Sequence, residues 1–334
     1  MVDLCLRDEK VTTYLVRNII IALSCTIIMS MAALCLGPIN YSPHNLLPVL
    51  SDPLESNILT QLRLPRVIFA LLVGFALSLA GVGTQGIFRN PLADPYVLGI
   101  SGGASVGSAA ALAFTNTDTF TYMVGFAFLG AFSISLFLIV LTRTARWSTH
   151  TILLVGIAIN LFCGSLLSVI MFTAHEQTTN IVLWLMGNLG QSSWSQITIV
   201  ATMVVIGTAA LIPQARHLDA HLFGEETAFA LGADINKYRP ITILSVCVLV
   251  SAAVCFCGAI GFVGLVIPHT VRLLVGTKHL KLMCIAPLVG ACFLVLCDTL
   301  ARLVILPQEL PVGVITGLLG GPIFIYLLFT EQRS

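Results

Sequence analysis

Runs of eighteen or more apolar residues recur along the whole of this chain, and each is long enough to cross the hydrocarbon core of a bilayer as a helix. In lipid every backbone N–H and C=O must find its partner within the protein, and a continuous apolar run does so by coiling into a helix. About ten spans read from the pattern: 15–37, 67–88, 97–114, 121–142, 151–173, 195–213, 240–259, 262–277, 282–303 and 311–330. Only 9% of the 334 residues are charged, against about 25% in a soluble chain. The expectation is an all-α membrane protein of about ten transmembrane helices in a single domain, 1–334. Met1 to Lys10 is polar, and Leu15 to Gly37 is too long for a signal h-region, so no cleavable signal is expected.

The sixteen Lys and Arg residues orient these spans under the positive-inside rule. With the N-terminus inside, Arg7, Lys10, Arg17, Arg89, Arg143, Arg146, Arg216, Lys237, Arg239, Arg272, Lys278, Lys281 and Arg333 fall on the cytoplasmic side. Only Arg63, Arg66 and Arg302 fall outside. Both termini are therefore expected in the cytoplasm.

The longest charged interruption, Gln214 to Arg239, then lies inside as well. Its middle, Leu222 to Leu231, has the makings of a short helix with Gly224 and Gly232 as breakers. A short helix carried on a loop between spans reads as a docking surface for a soluble partner.

Several chemistries are absent or weakly signalled. A net charge of +1 offers no field for nucleic acid. The ten cysteines lie mostly within apolar spans and lack zinc-site or disulfide spacing, Cys255-x-Cys257 included. No G-x-x-x-x-G-K-[ST] occurs, so the chain does not hydrolyse nucleotide alone. Ile100-Ser-Gly-Gly-Ala104 looks like an ABC signature loop, but it opens a span in a chain without a P-loop.

Polar and small residues inside the spans are the remaining candidates. Small residues at spacing four (Gly99, Gly103, Gly107; Gly313, Gly317, Gly321) suit close helix packing. Span five carries Gly156, Asn160, Gly164 and Ser168; a mid-span amide is costly unless satisfied or facing water, which makes Asn160 a pore-lining candidate. Pro268-His269 sits in the short eighth span, where His269 reads as a structural hydrogen-bonding group or a proton or metal group. Arg63, Arg66 and Arg302 have two readings: interfacial anchors, with Asp298 pairing Arg302 at i,i+4, or a basic rim for an external partner.

Three rival classes follow from these residues. A proton-coupled secondary transporter would need Asp298 and His269 as its relay. An intramembrane serine protease would use Ser101, in Gly99-Ile-Ser-Gly102, with His269 as base. A channel without energy coupling would not need the structured loop.

Arg63-Leu-Pro-Arg66, Arg89-Asn-Pro-Leu-Ala-Asp-Pro95, Trp184-Leu-Met-Gly187, Gly258-Ala-Ile-Gly-Phe-Val-Gly-Leu-Val-Ile-Pro-His269 with Arg272, Asp298 through Arg302, and Glu309-Leu-Pro-Val-Gly313 with Gly321-Pro322 occur in that order. Together they resemble the FecCD/BtuC-type permease subunits of binding-protein-dependent ABC importers for ferric siderophores, haem and cobalamin. Asn188 and Gly320-Gly321 depart slightly from that pattern.

The resemblance implies the type II ABC importer permease architecture in a cytoplasmic (inner) membrane. A second permease, a homodimer by preference, would line a central pathway. A cytoplasmic ATPase dimer would carry ATP and Mg, leaving this chain without a cofactor, and an external binding protein would deliver cargo. Gly224, Glu225, Glu226, Ala228, Leu231 and Gly232 would be the ATPase coupling element. Arg63, Arg66 and Arg302 would dock the binding protein; Asn160, Gly164 and Ser168 would line the pathway. The implied activity is alternating-access import of a ferric chelate, with cobalamin as the alternative cargo.

Overall fold

The computed structural model describes residues 2–37, 39, 41–42, 52–114, 120–144, 149–174 and 177–331. Side chains before Tyr14, among them Arg7 and Lys10, lie outside the description, as do Arg146 and Arg333. Among the described residues there are helices and turns and no strands. In chain order the helices are α1 (Val2–Cys35), α2 (Pro53–Phe88), α3 (Ile100–Phe114), α4 (Phe120–Thr144), α5 (Thr149–Thr173) and α6 (Thr178–Leu185). There follow α7 (Trp194–Leu211), α8 (Ala215–His221), α9 (Glu225–Ala230), α10 (Ile235–Cys257), α11 (Val263–Val275), α12 (His279–Leu303) and α13 (Val312–Glu331).

Eight of these are long and apolar enough to cross a membrane. The expected third and eighth spans are shorter, at 15 and 13 residues. They rise about 22 and 20 Å against a hydrocarbon thickness of about 30 Å. The second span is longer than expected: α2 begins at Pro53, capped by Asp52, and passes through a π-helical turn over Ile58–Arg63. Arg63 and Arg66 therefore sit inside a continuous helix rather than ahead of one.

Helices α2 and α10 form the buried centre, and α2 lies antiparallel along α12 with a constant register. Arg66 meets Asp298 at one end and Gly86 meets His279 at the other. Between them the Ser78 hydroxyl donates to the Ala286 carbonyl at 2.8 Å. At Gly74 and Gly290 the two backbones touch: a Cβ on Gly74 would collide with the Gly290 carbonyl oxygen, and one on Gly290 would sit 2.6 Å from that of Gly74. Without a hydrophobic drive between helices in lipid, such close van der Waals approach is what holds them together.

This register separates the bundle into a loop end, carrying 212–234, and a far end, carrying Arg66 and Asp298. Phe88 ends α2 at the loop end, where Arg89 turns the chain in the left-handed region (φ 48°) and Asn90 N–H donates to the Gln85 carbonyl. Helix α1 runs parallel to α12, with Thr26 bonded to the Leu288 carbonyl and the Ala33 carbonyl accepting from Arg302, so its first residues also point to the loop end. The last residues of α13 do so too.

The glycines expected to serve packing divide. Gly103 and Gly107 lie against the Gly130 and Phe126 carbonyls of α4, as spacing four predicts. In α13, Gly313 abuts the Met186 carbonyl, whereas a Cβ on Gly317 would meet nothing within 4 Å.

Candidate functional site

Three polar constellations stand out, one at each end and one at mid-depth. At the loop end, α8 is seated by Ala215, Leu218 and His221, all buried. Asp219 reaches the first residue of α12, accepting from His279 N–H at 2.8 Å and facing its Nδ1 at 2.7 Å. One carboxylate thus fixes α8 to the N-terminus of α12, where negative charge is favoured. The His279 ring in turn rests on Gly86, leaving no room there for a Cβ.

Helix α9 follows between the two breakers read from the sequence. Gly224 (φ 104°) precedes it, and Gly232 (φ 85°) ends it in a Schellman turn, with Ala233 N–H bonded to the Ala228 carbonyl and Gly232 N–H to that of Phe229. Ala228 is fully buried, and Glu225 pairs with Arg239 of α10 at 2.7 Å. The opposite face is apolar and open: Phe223, Phe229 and Leu231 are 74, 71 and 66% exposed. Leu222 joins them, and Glu226 stands beside them exposed. All lie between the candidate spans ending at His221 and starting at Asn236, so lipid does not account for their exposure. An apolar patch of this kind marks an interaction surface. Phe223 and Phe229 escaped the sequence reading; large aromatics inside a polar loop were the available signal.

At the far end the three arginines are not a free basic rim. Arg63 is 6% exposed, donates to the Leu34 and Ile39 carbonyls, and lies over the Tyr41 ring at 4.5 Å. Arg302 is 3% exposed, pairs with Asp298 at 3.2 Å as i,i+4 spacing predicts, and donates to the Ala33 and Leu36 carbonyls. Arg66 bridges buried Asp298 (2.9 Å) and exposed Glu309 (2.7 Å). These guanidiniums tie α1, α2 and α12 together, because a charge at this depth needs carbonyl and carboxylate partners. The rim expectation is corrected for Arg63 and Arg302, whose donors point into the protein. Glu309, absent from that reading, is the exposed charge.

At mid-depth the two short helices meet. The turn Pro95–Leu98, capped by Asp94 (Tyr96 N–H to Oδ1, 2.7 Å), climbs from the loop end, and residues 258–262 descend from the far end. The Tyr96 hydroxyl joins them, donating to the Ile260 carbonyl at 3.0 Å and accepting Ile260 N–H at 3.1 Å. Non-helical backbone at this depth is tolerated only where it is enclosed by protein or lines a cavity.

Asn160 belongs to this junction: its Nδ2 donates to the Tyr96 carbonyl at 2.9 Å. That satisfies the mid-span amide within the subunit. Gly164 and Ser168, further along α5, are exposed, and the Ser168 hydroxyl bonds the Gly164 carbonyl. His269 is buried with its ring edge-to-face with Phe324. Cys257 donates its thiol to the Ala253 carbonyl, as a small buried residue rather than a ligand.

Distant motif pieces also converge at the far end. Asn188 N–H bonds the Cys257 carbonyl, Val312 N–H that of Gly187, and Gly313 N–H that of Met186. Trp184–Gly187, the start of Gly258–His269 and Glu309–Gly313 thereby form one knot.

Comparison with known proteins agrees with this assembly. The model of the FecCD transport family matches residues 25–330. The hemin transport system permease protein HmuU of Yersinia pestis is 39% identical over 317 residues, 92% of this chain and 94% of its own length. The cobalamin import system permease protein BtuC of Halobacterium salinarum is 39% identical, covering 81% of this chain and 73% of its own. A solved structure described as an inward-facing conformation of a metal-chelate type ABC transporter superposes with a TM-score of 0.86 at 29% identity, covering 94% of this chain and 99% of that one.

Proposed function

Since this chain belongs to the FecCD transport family and is an ABC importer permease, a multi-pass membrane protein, we propose that it carries a ferric chelate, siderophore or haem, into the cytoplasm. Cobalamin is the alternative cargo within the same architecture. Two copies would form the pathway, with Gly164 and Ser168 on the exposed face of α5 among its lining. Asn160 would shape that lining through the Tyr96 carbonyl. The loop end would face the cytoplasm, where the basic residues gather.

The observation that carries this reading is the apolar face of α9, exposed outside every candidate span and flanked by Glu225 and Glu226. It would seat in a cleft of a cytoplasmic ATPase that holds ATP and Mg²⁺. Nucleotide-driven closure of that ATPase would move α9 between Gly224 and Gly232. The Glu225–Arg239 pair and the Asp219–His279 contact would pass the motion to α10 and α12. An external binding protein would dock at the far end, on Glu309 and the partly exposed Arg66. Arg63 and Arg302 would hold that surface in shape.

Disulfide crosslinking tests the coupling assignment. Leu231→Cys, paired with cysteines around the nucleotide-side cleft of the ATPase, should crosslink in a nucleotide-dependent way. Crosslinking at Lys237→Cys but never at Leu231→Cys would move the contact off α9.

A further inference from the structure

A cavity of about 300 Å³ opens at the loop end between α1, α11 and α12, away from the α9 surface and the mid-depth junction. Tyr14, Arg17, Asn18, Leu274 and Lys281 line it. Arg17 lies over the Tyr14 ring at 4.8 Å, which fixes the guanidinium beside the opening. Lys281, on the first turn of α12, approaches from the other side.

No carboxylate lines this cavity, and among the described residues neither Arg17 nor Lys281 enters an ion pair. Two cations facing one space repel unless an anion lies between them.

The position narrows the anion. Arg17 lies three residues into the candidate span that starts at Tyr14, and Lys281 two residues into the one that starts at His279. Both therefore stand where helices leave the hydrocarbon, beside an interfacial tyrosine. Leu274, 77% exposed, offers an apolar surface next to the opening. A free oxyanion has no use for that surface, whereas an acyl chain does. We propose that this cavity binds the phosphodiester headgroup of an anionic phospholipid through Arg17 and Lys281, and that the lipid clamps α1 onto α12. The assignment depends on the chain spanning a membrane and not on its cargo or on the α9 contact.

Native mass spectrometry of the purified permease, equilibrated with mixed micelles of phosphatidylglycerol and phosphatidylcholine, tests it. The protein should retain phosphatidylglycerol selectively. Replacing both residues (Arg17→Gln with Lys281→Gln) should lower that preference roughly thirtyfold. Each single replacement should lower it roughly fivefold, so the test stands even where the double variant fails to fold. Lys237→Gln, at an exposed lysine on the first turn of α10 and away from the cavity, should leave it unchanged. Equal selectivity in wild type and single variants would overturn the proposal. Displacement of the lipid by millimolar inorganic phosphate would overturn it too, in favour of a free-oxyanion site.

Discussion

Arg66 Nε lies 2.9 Å from Asp298 Oδ1, and the same buried carboxylate accepts Arg302 at 3.2 Å. One anion between two guanidiniums thus joins the far ends of α2 and α12, and Glu309 completes the balance from the surface. Removing the anion leaves two cations facing each other at low dielectric. Asp298→Ala should therefore destabilise the subunit by about 3–5 kcal/mol, the usual cost of breaking a buried pair. Arg66→Ala should cost less, since Arg302 still answers Asp298. Thermal unfolding in detergent should rank the two variants in that order.

The Gly74–Gly290 crossing makes a steric prediction. Gly74→Leu places a side chain where the Gly290 carbonyl stands, so α2 and α12 must separate along their register. Strongly reduced folded yield and a lower unfolding temperature are expected. Gly317→Ala, where a Cβ meets open space, should leave the monomer's stability nearly unchanged.

Tyr96→Phe removes both hydrogen bonds to Ile260 and strands a backbone N–H and a C=O at mid-depth. The expected loss is about 2–4 kcal/mol, taking about 1–3 kcal/mol for an unsatisfied buried group and some relaxation. Hydrogen exchange localised to 258–262 would report it.

At the loop end, Phe229→Asp and Leu231→Asp alter side chains that touch little within the subunit. Both should fold normally yet uncouple nucleotide hydrolysis from uptake. Glu225→Gln should weaken its charge-assisted bond to Arg239 and produce a milder defect. Hydrolysis and uptake rates measured side by side separate these outcomes.

The long helices and the Gly224–Gly232 bounds of α9 were legible because each depends on local signals, an apolar run or a breaker. The shortness of α11 was legible, but that of α3, and the reason for either, was not. Hydropathy registers apolar residues around Gly99 and Gly258–Phe262 but not the depth at which the helix breaks, and that depth is set by Tyr96 reaching Ile260, 164 residues away. The far-end arginines were legible in part: spacing gave the Asp298–Arg302 pair, whereas the partners of Arg63 and Arg66, namely Leu34, Asp298 and Glu309, lie far along the chain. Asn160 showed correctly that it needed a partner, and only the fold identified the Tyr96 carbonyl.

The most direct test is uptake into proteoliposomes holding the permease with its ATPase, supplied with binding protein and labelled haem, ferric siderophores or cobalamin. The account predicts uptake of a ferric chelate that requires ATP and collapses in Phe229→Asp while hydrolysis continues. Uptake that ignores ATP and follows a proton gradient would contradict it, and would turn attention to Asp298 and His269.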